Sequence, residues 1–402
     1  MTDSAKKRLV LGVTGGVAAY KAAELTRLLV KNGIEVQVIM TEAARRFVAT
    51  ATFQALSGKP VLTDLWDGQT AGGMAHIDVT RNADAVLIAP ASADFLAKLA
   101  HGAANDLLSA VCLARACPLL VAPAMNREMW DNPATQRNIA QLRQDGVAIF
   151  GPASGLQACG ETGMGRMVEP ATLLDDIESF WHPKLLQGQR VLVTAGPTYE
   201  AIDAVRAITN LSSGKMGYAV ARAAIEAGAK VTLVSGPTCL TPPTAAKTVA
   251  VTSAQQMLEA VNKEIAETDI FISVAAVADY YVLNPSEQKI KKDAHILTLE
   301  LAPNPDIVAN VMNLPSPPFC VGFAAESENL YEFAEMKRRR KNLPLLAANL
   351  VQDAIGQEDN ELILFDDEGT HPLPRAPKIV LARQLIAHIA KLCPNSGSKN
   401  EA

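Results

Sequence analysis

Two doubly wound parallel-sheet α/β domains in tandem are the fold class this 402-residue sequence predicts. Three observations carry it: two strand–turn–helix–strand openings, a set of short continuous apolar runs, and a length suited to two or three domains. The first opening is the apolar run Leu9 to Val13 and a turn through Thr14, Gly15 and Gly16. A helical period follows from Ala18 to Lys31, with Asn32-Gly33 as cap, and then the strand Val36 to Met40. The second opening repeats this order. Arg190 to Ala195 is the strand, Gly196-Pro197-Thr198 the turn, Tyr218 to Glu226 the helix, Gly228 the cap and Lys230 to Val234 the next strand. Ala85 to Pro90, Leu119 to Pro123 and Ile270 to Val274 read as strands buried on both faces. Ile296 to Leu301 alternates and reads as a half-exposed strand, and Pro377 opens a last helix over Lys378 to Leu392. The expected division is a domain over 1–183, a linker over 184–189, a second domain over 190–393 and a disordered tail over 394–402.

Hydrophobic residues make up 49% and charged residues 20% of the chain, which excludes global disorder. A net charge of −5 gives no electrostatic reason to expect nucleic acid or an anionic membrane as partner. Six cysteines form no CxxC pair, which predicts reduced thiols and a cytoplasmic protein. The N-terminus lacks an apolar leader, and the richest apolar run, Leu107 to Met125, is broken by Arg115 and two prolines.

In an open α/β sheet, ligands sit beyond the carboxyl ends of the strands. The Thr14-Gly15-Gly16 turn lies there, ahead of a helix, where backbone N–H groups suit a phosphate. It is not GxGxxG, and the next strand ends at Thr41 rather than at an acidic residue. That argues against a nicotinamide dinucleotide and for a mononucleotide. The segment Asn210 to Gly217 offers hydroxyls, N–H groups and Lys215 near a helix start, but lacks the residues of a P-loop. Two further segments cluster chemistry. Pro123 to Trp130 carries an amide, Asn126, among methionines and an indole. Cys159 to Met167 sets one thiol on a glycine-rich loop. Met125, Met129 and Trp130 read mainly as packing, and His101 and His388 as surface or hydrogen-bonded residues.

On these segments the whole chain resembles the bifunctional coenzyme A biosynthesis family. In it a phosphopantothenoylcysteine decarboxylase is fused to a phosphopantothenate–cysteine ligase. The first half carries Gly15 to Lys21, His76-Ile77, Pro90 to Asp94, PxMNxxMW and CGxxGxGRM. The second carries Thr194 to Thr198, Asp203 to Arg206, Asn210 to Gly217, Ala275 to Tyr280, Lys289 to Lys292, Asn304 to Ile307, Gly322 to Glu326, Lys337 and Lys341. Departures from relatives fall at Asp94-Phe95, Pro344 and Leu350. The resemblance implies Rossmann-like domains, a flavodoxin-like one and then a ligase. It also implies a homo-oligomer, a dodecamer, with no nucleic acid or membrane partner.

What the resemblance implies for chemistry is specific. FMN would sit at Gly15, Gly16, Thr41, Ser92 and Ser109. Decarboxylation needs an electron sink, which flavin oxidation of the substrate's C–S bond creates. Asn126 would orient the departing carboxylate, His76 position the substrate beside Met125, and Cys159 return the proton. A free thiol titrates near about 8.5, so it holds that proton at neutral pH. In the ligase, CTP with Mg²⁺ would activate 4′-phosphopantothenate as an acyl-cytidylate that the L-cysteine amine attacks. Lys289 and Asn210 are the catalytic candidates and Arg206 the substrate anchor. Ala275, Asp279, Pro305, Asp306, Ile307, Val308, Phe323, Lys337 and Lys341 would form the CTP pocket. Mg²⁺ would be held mainly by the phosphates, with no protein ligand identified. Lys337 and Lys341 are spaced i,i+4 and so share a helix face. The competing reading is a non-catalytic flavoprotein regulatory subunit, against which Cys159, Asn126 and His76 all speak.

Overall fold

The computed structural model describes residues 6–65, 75–243, 245–291, 296–350 and 357–393, the side chains of Ala75 and His76 excepted. The chain divides into two compact units, Met1–Trp181 and His182–Ala402. The first holds β1 (Arg8–Val13), α1 (Ala19–Lys31), β2 (Glu35–Met40), α2 (Thr50–Ser57), α3 (Ala75–Arg81) and β3 (Ala85–Ala91). It continues with α4 (Ala93–Ala100), α5 (Leu107–Ala114), β4 (Leu119–Pro123), α6 (Arg127–Asp131), α7 (Pro133–Gln144) and β5 (Ala148–Ile149). A hairpin of β6 (Ala153–Leu156) and β7 (Thr162–Arg166) and the helix α8 (Pro170–Trp181) complete it.

The five-stranded sheet is parallel in the order β2-β1-β3-β4-β5. Its strands are apolar on both sides because both sides are covered. Leu9, Leu11 and Val13 pack with α1 and α8, through Leu25, Leu29, Leu173 and Ile177. Val10, between them, packs on the other face with Phe95, Leu108 and Leu142. Each such fully buried Leu contributes about 1.5–3 kcal/mol.

The second unit holds β8 (Arg190–Ala195), β9 (Tyr199–Ala201), β10 (Ala207–Thr209), α9 (Lys215–Glu226), β11 (Lys230–Ser235), β12 (Lys247–Ala250) and α10 (Ala254–Glu264). Next come β13 (Ile270–Ser273), β14 (Tyr280–Val282), β15 (Leu301–Pro303), α11 (Ile307–Met312), β16 (Phe319–Glu326), α12 (Leu330–Arg340) and β17 (Leu345–Leu350). β18 (Asp359–Phe365), β19 (Thr370–Pro377) and α13 (Lys378–Leu392) end it. The sheet order is β12-β11-β8-β13-β16-β17-β18-β19, parallel through β17 and antiparallel across the last two. The six parallel strands reproduce the 3-2-1-4-5-6 order of the dinucleotide fold. Helices α9 and α13 cover one face and α10, α11 and α12 the other.

Three expectations need correction. Ile296 to Glu300 is not strand; the strand β15 is confined to Leu301–Pro303, paired with β14, and Glu300 O only accepts from Leu283 N beyond it. Helix α9 begins at Lys215, three residues before Tyr218, since Gly214 supplies the left-handed N-cap at φ 77°. Residues 184–189 are no free linker: Leu186 is fully buried in the second core, and its N–H donates to Ala227. The tail over 394–402 lies outside the described residues.

Candidate active sites

In the first unit the strand order turns at β1 and β3, and the carboxyl ends of those strands open the crevice where such sheets bind ligands. Thr14 follows β1 and Ser92 follows β3. The Thr14 hydroxyl donates to Pro90 O at 2.7 Å and accepts from Ser92 N at 3.0 Å, tying the two strand ends together. Gly15 must be glycine, since a Cβ there would stand 2.5 Å from that of Ala43. Thr41 follows β2, and its hydroxyl accepts from Ala44 N. Ser92 also caps α4 through Phe95 N. These predicted residues therefore gather on one edge of the sheet. Ser109 differs: it is buried, and its hydroxyl is closed in a capping box with Asp106. His76 lies on α3, its side chain outside the described residues.

Asn126 follows β4 on the same edge and caps α6. Its Oδ1 accepts from Glu128 N at 2.8 Å and Met129 N at 3.3 Å, which fixes the amide and aims Nδ2 outward. Nδ2 donates to Glu161 Oε2 at 2.8 Å and lies 3.7 Å from Cys159 Sγ. The sulfur also lies 3.6 Å from Glu161 Oε2 and 3.9 Å from Gln157 Oε1. Cys159 and Glu161 sit in the connection of the β6–β7 hairpin, which folds over Asn126 as a flap. Met125 N donates to Gly165 O at 2.9 Å, and Arg127 N to Gln157 Oε1 at 3.0 Å. At Gly165, φ is 127°, and a Cβ would meet Met125 O at 2.5 Å. The buried Lys21 anchors the flap's far end, donating to Met167 O and Glu169 Oε1.

Thus the amide and the thiol meet. Met125 and Trp130 pack into the core, but Met129 is exposed and does not. Burial pushes the thiols of Cys112 and Cys320 up to about 12, whereas Cys159 is exposed. Sequence reading missed Glu161 and Gln157. Only the flap's register brings their side chains to Asn126.

In the second unit a cavity of about 710 Å³ runs along the carboxyl edge of the sheet. Asn210, Ala275, Asp279, Pro305 to Val308, Phe323, Lys337 and Lys341 all line it. The N-terminal turn of α9 also lines it, as do Asn349, Asn360 and Lys378. Those last three were missed, because they come from β17, the antiparallel strand β18 and the start of α13. Gly217 lets α9 approach: a Cβ would stand 2.5 Å from that of Ala195. Asn210 Nδ2 donates to Ala276 O at 2.9 Å. Lys341 Nζ reaches both oxygens of Asp306, at 2.9 and 2.7 Å, while Asp306 caps α11. Lys337 is 4.0 Å from Glu326, and burial pushes its ammonium below the ordinary lysine range. The basic run divides: Arg338 is buried against Glu335, Leu343 O and Asp367, and Arg339 is exposed.

Arg206 and Lys289 do not line this cavity. Arg206 pairs with the buried Asp203 and donates to Ile290 O at 2.9 Å. Asp203 also accepts from Ile290 N, and the guanidinium beside it holds its carboxyl well below the usual range. Within this chain the pair therefore fastens the loop that carries Lys289.

A switch-point edge under a thiol-bearing flap, followed by a dinucleotide-order sheet with a cationic cavity, defines a two-unit α/β protein. Residues 1–182 match the family model described as Flavoprotein, and residues 186–392 that of the DNA/pantothenate metabolism flavoprotein C-terminal domain. The coenzyme A biosynthesis bifunctional protein CoaBC of Vibrio cholerae serotype O1 is 50% identical over 388 residues, covering 95% of this chain and 97% of the relative. That of Escherichia coli (strain K12) is 46% identical over 393 residues, covering 96% and 97%. A crystal structure of the C-terminal domain of a CoaBC protein is similar at 40% identity and a TM-score of 0.46, covering 52% of this chain and 97% of that one. The chain belongs to the CoaBC family of bifunctional coenzyme A biosynthesis enzymes, which combine decarboxylase and ligase activities. A non-catalytic flavoprotein subunit is not favoured. Among the described residues no helix is long and apolar enough to cross a membrane.

Proposed function

We propose that the second unit joins L-cysteine to 4′-phosphopantothenate through an acyl-cytidylate, using CTP and Mg²⁺, and that the first unit decarboxylates the product to 4′-phosphopantetheine with FMN. The reading is carried by one observation: the fixed Asn126 amide faces a carboxylate, that of Glu161, with the Cys159 thiol beside both.

In the ligase cavity the N-terminal N–H groups of α9, with Lys337 and Lys341, face the triphosphate. Asn210, held on Ala276 O, orients the acyl group. Lys289 lies outside the lining of this cavity within the chain, and its loop would have to bring it to the acyl group for it to neutralise charge as the carboxylate is activated. The phosphates and water hold Mg²⁺, which prefers oxygen ligands.

In the first unit the Thr14–Gly16 turn, Thr41 and Ser92 hold FMN, and Ser109 supports the edge from below. Bound there, the flavin supplies the oxidation of the substrate's C–S bond and the returning hydride. Asn126 Nδ2 binds the substrate carboxylate in place of Glu161 and holds it until CO₂ departs. His76 positions the substrate. Cys159 gives its proton to the carbon left behind, and the flap excludes water while it does so.

A purified protein that is yellow, and that releases flavin absorbance on denaturation, supports this reading. A colourless protein that takes up no FMN contradicts it. The ligase half is tested with 4′-phosphopantothenate and CTP–Mg²⁺. Pyrophosphate formed without an acyl-cytidylate rules out the proposed route.

A further inference from the structure

At the far end of β18 from the nucleotide cavity, three side chains outside both active sites converge. Asp366 follows directly on β18 and is 4% exposed. His371 comes from β19 and His388 from α13. His388 Nε2 lies 2.7 Å from Asp366 Oδ2, and His371 Nε2 lies 3.1 Å from Oδ1. The three ligand atoms all lie within 4.8 Å of one another, and the ring centroids are 4.6 Å apart. The carboxylate is fixed before any ion arrives: Oδ1 also accepts from Glu368 N at 2.8 Å and Gly369 N at 3.1 Å. A buried carboxylate needs a compensating charge. Among the described residues, no lysine or arginine pairs with Asp366; its ion-pair partners are the two imidazoles.

We propose that Asp366, His371 and His388 bind a divalent transition-metal ion of the Zn²⁺ class. Two imidazoles and one carboxylate suit Zn²⁺, Co²⁺ or Ni²⁺, and not Mg²⁺ or Ca²⁺, which take oxygen ligands. Bonds of about 2.0–2.1 Å in a tetrahedral site put ligand atoms about 3.3 Å apart. The imidazole–carboxylate contacts of 2.7 and 3.1 Å are already close to that spacing, and the widest pair of ligand atoms, within 4.8 Å, closes toward it when the rings turn onto the ion. Each Nε2 gives up its proton on binding. The backbone N–H groups on Oδ1 act as the outer support that metal carboxylates need. His371 is one-third exposed, which leaves the fourth position to water. β18 begins beside Asn360 of the cavity and carries Asp366 about 20 Å away along the strand. The ion is therefore structural: it fastens the edge hairpin β18–β19 to α13.

The test uses the full chain, stripped with a chelator and desalted. Zn²⁺ is titrated calorimetrically, and Co²⁺ by its visible absorption, into wild type, H371Q and H371Q/H388Q. The expected result is one saturable equivalent in wild type, weakened on the order of 100-fold or more in H371Q, beyond the cost of losing an outer-shell partner. Zn²⁺ should also raise the unfolding temperature of wild type but not of the double variant. Zn²⁺ held by the exposed thiols Cys159 and Cys239 is common to all three proteins and cancels. H371Q should keep wild-type pyrophosphate release, which shows that it folds. Equal Zn²⁺ binding by wild type and H371Q, no saturable binding by wild type, or displacement by millimolar Mg²⁺ would each overturn the proposal.

Discussion

Asn126 Oδ1 is spent on two backbone N–H groups, which leaves its Nδ2 one donor direction, the one that the proposed mechanism uses. Glu161 takes that direction in this structure, and under the proposed mechanism it would compete with the substrate carboxylate. Glu161→Gln should therefore lower KM for the decarboxylase substrate by roughly threefold, the scale of an exposed charged contact, with little change in kcat. An unchanged or raised KM would show that Glu161 does not occupy the substrate position. Lys337 makes a second residue-scale prediction. Burial lowers its pKa from the ordinary 10.5, so between the folded and unfolded values the unfolded chain binds more protons. Stability from this group thus rises with pH through that window and is absent below it. A bound triphosphate favours the charged form, so CTP binding in alkaline buffer should take up protons. Calorimetry in two buffers of different ionisation enthalpy measures this; Lys337→Gln should abolish the uptake and raise KM for CTP about tenfold.

The element that matters most is the β6–β7 flap, seated by close backbone contact rather than by apolar packing. Gly165→Ala sets a Cβ 2.5 Å from Met125 O at a φ of 127°. The strain is about 1–3 kcal/mol and falls on the flap alone. Decarboxylation should drop tenfold or more, roughly the same energy, while pyrophosphate release holds. Equal loss of both activities would mean the flap is not an independent device. Elements also mark what the sequence could carry. Strands β1, β3, β4 and β13 were legible because continuous apolar runs follow from burial on both faces. Lys337 and Lys341, named from the family resemblance and spaced to share a helix face, both line the cavity. Lys215 was not seen as helical, because Gly214 starts the helix through backbone conformation that no side chain announces. Glu161, Asn360 and the second role of Arg206 depend on long-range register, which local pattern does not encode.

At the scale of the whole molecule, two sheets of different strand order each place their sites on a carboxyl edge. The sequence-level doubling of the strand–turn–helix–strand opening appears as β1–α1–β2 and β8–α9–β11, so tandem architecture was readable early. The units differ where their chemistry differs. The first carries a flap over a fixed amide, and the second a cationic cavity beside a helix start. If the two units act as separate catalysts, a lesion in one should leave the other's rate untouched.

Cys159→Ser tests this most directly. The variant is supplied with 4′-phosphopantothenate, L-cysteine and CTP–Mg²⁺, and pyrophosphate, CO₂ and product are followed together. With O₂ present to reoxidise the flavin that no returning hydride has emptied, the account predicts wild-type pyrophosphate release, continued CO₂ release, and accumulation of a decarboxylated species lacking two hydrogens relative to 4′-phosphopantetheine; without O₂, both CO₂ and that species stop at about one equivalent per flavin. Parallel loss of both activities, or 4′-phosphopantetheine formed at the wild-type rate, would contradict it.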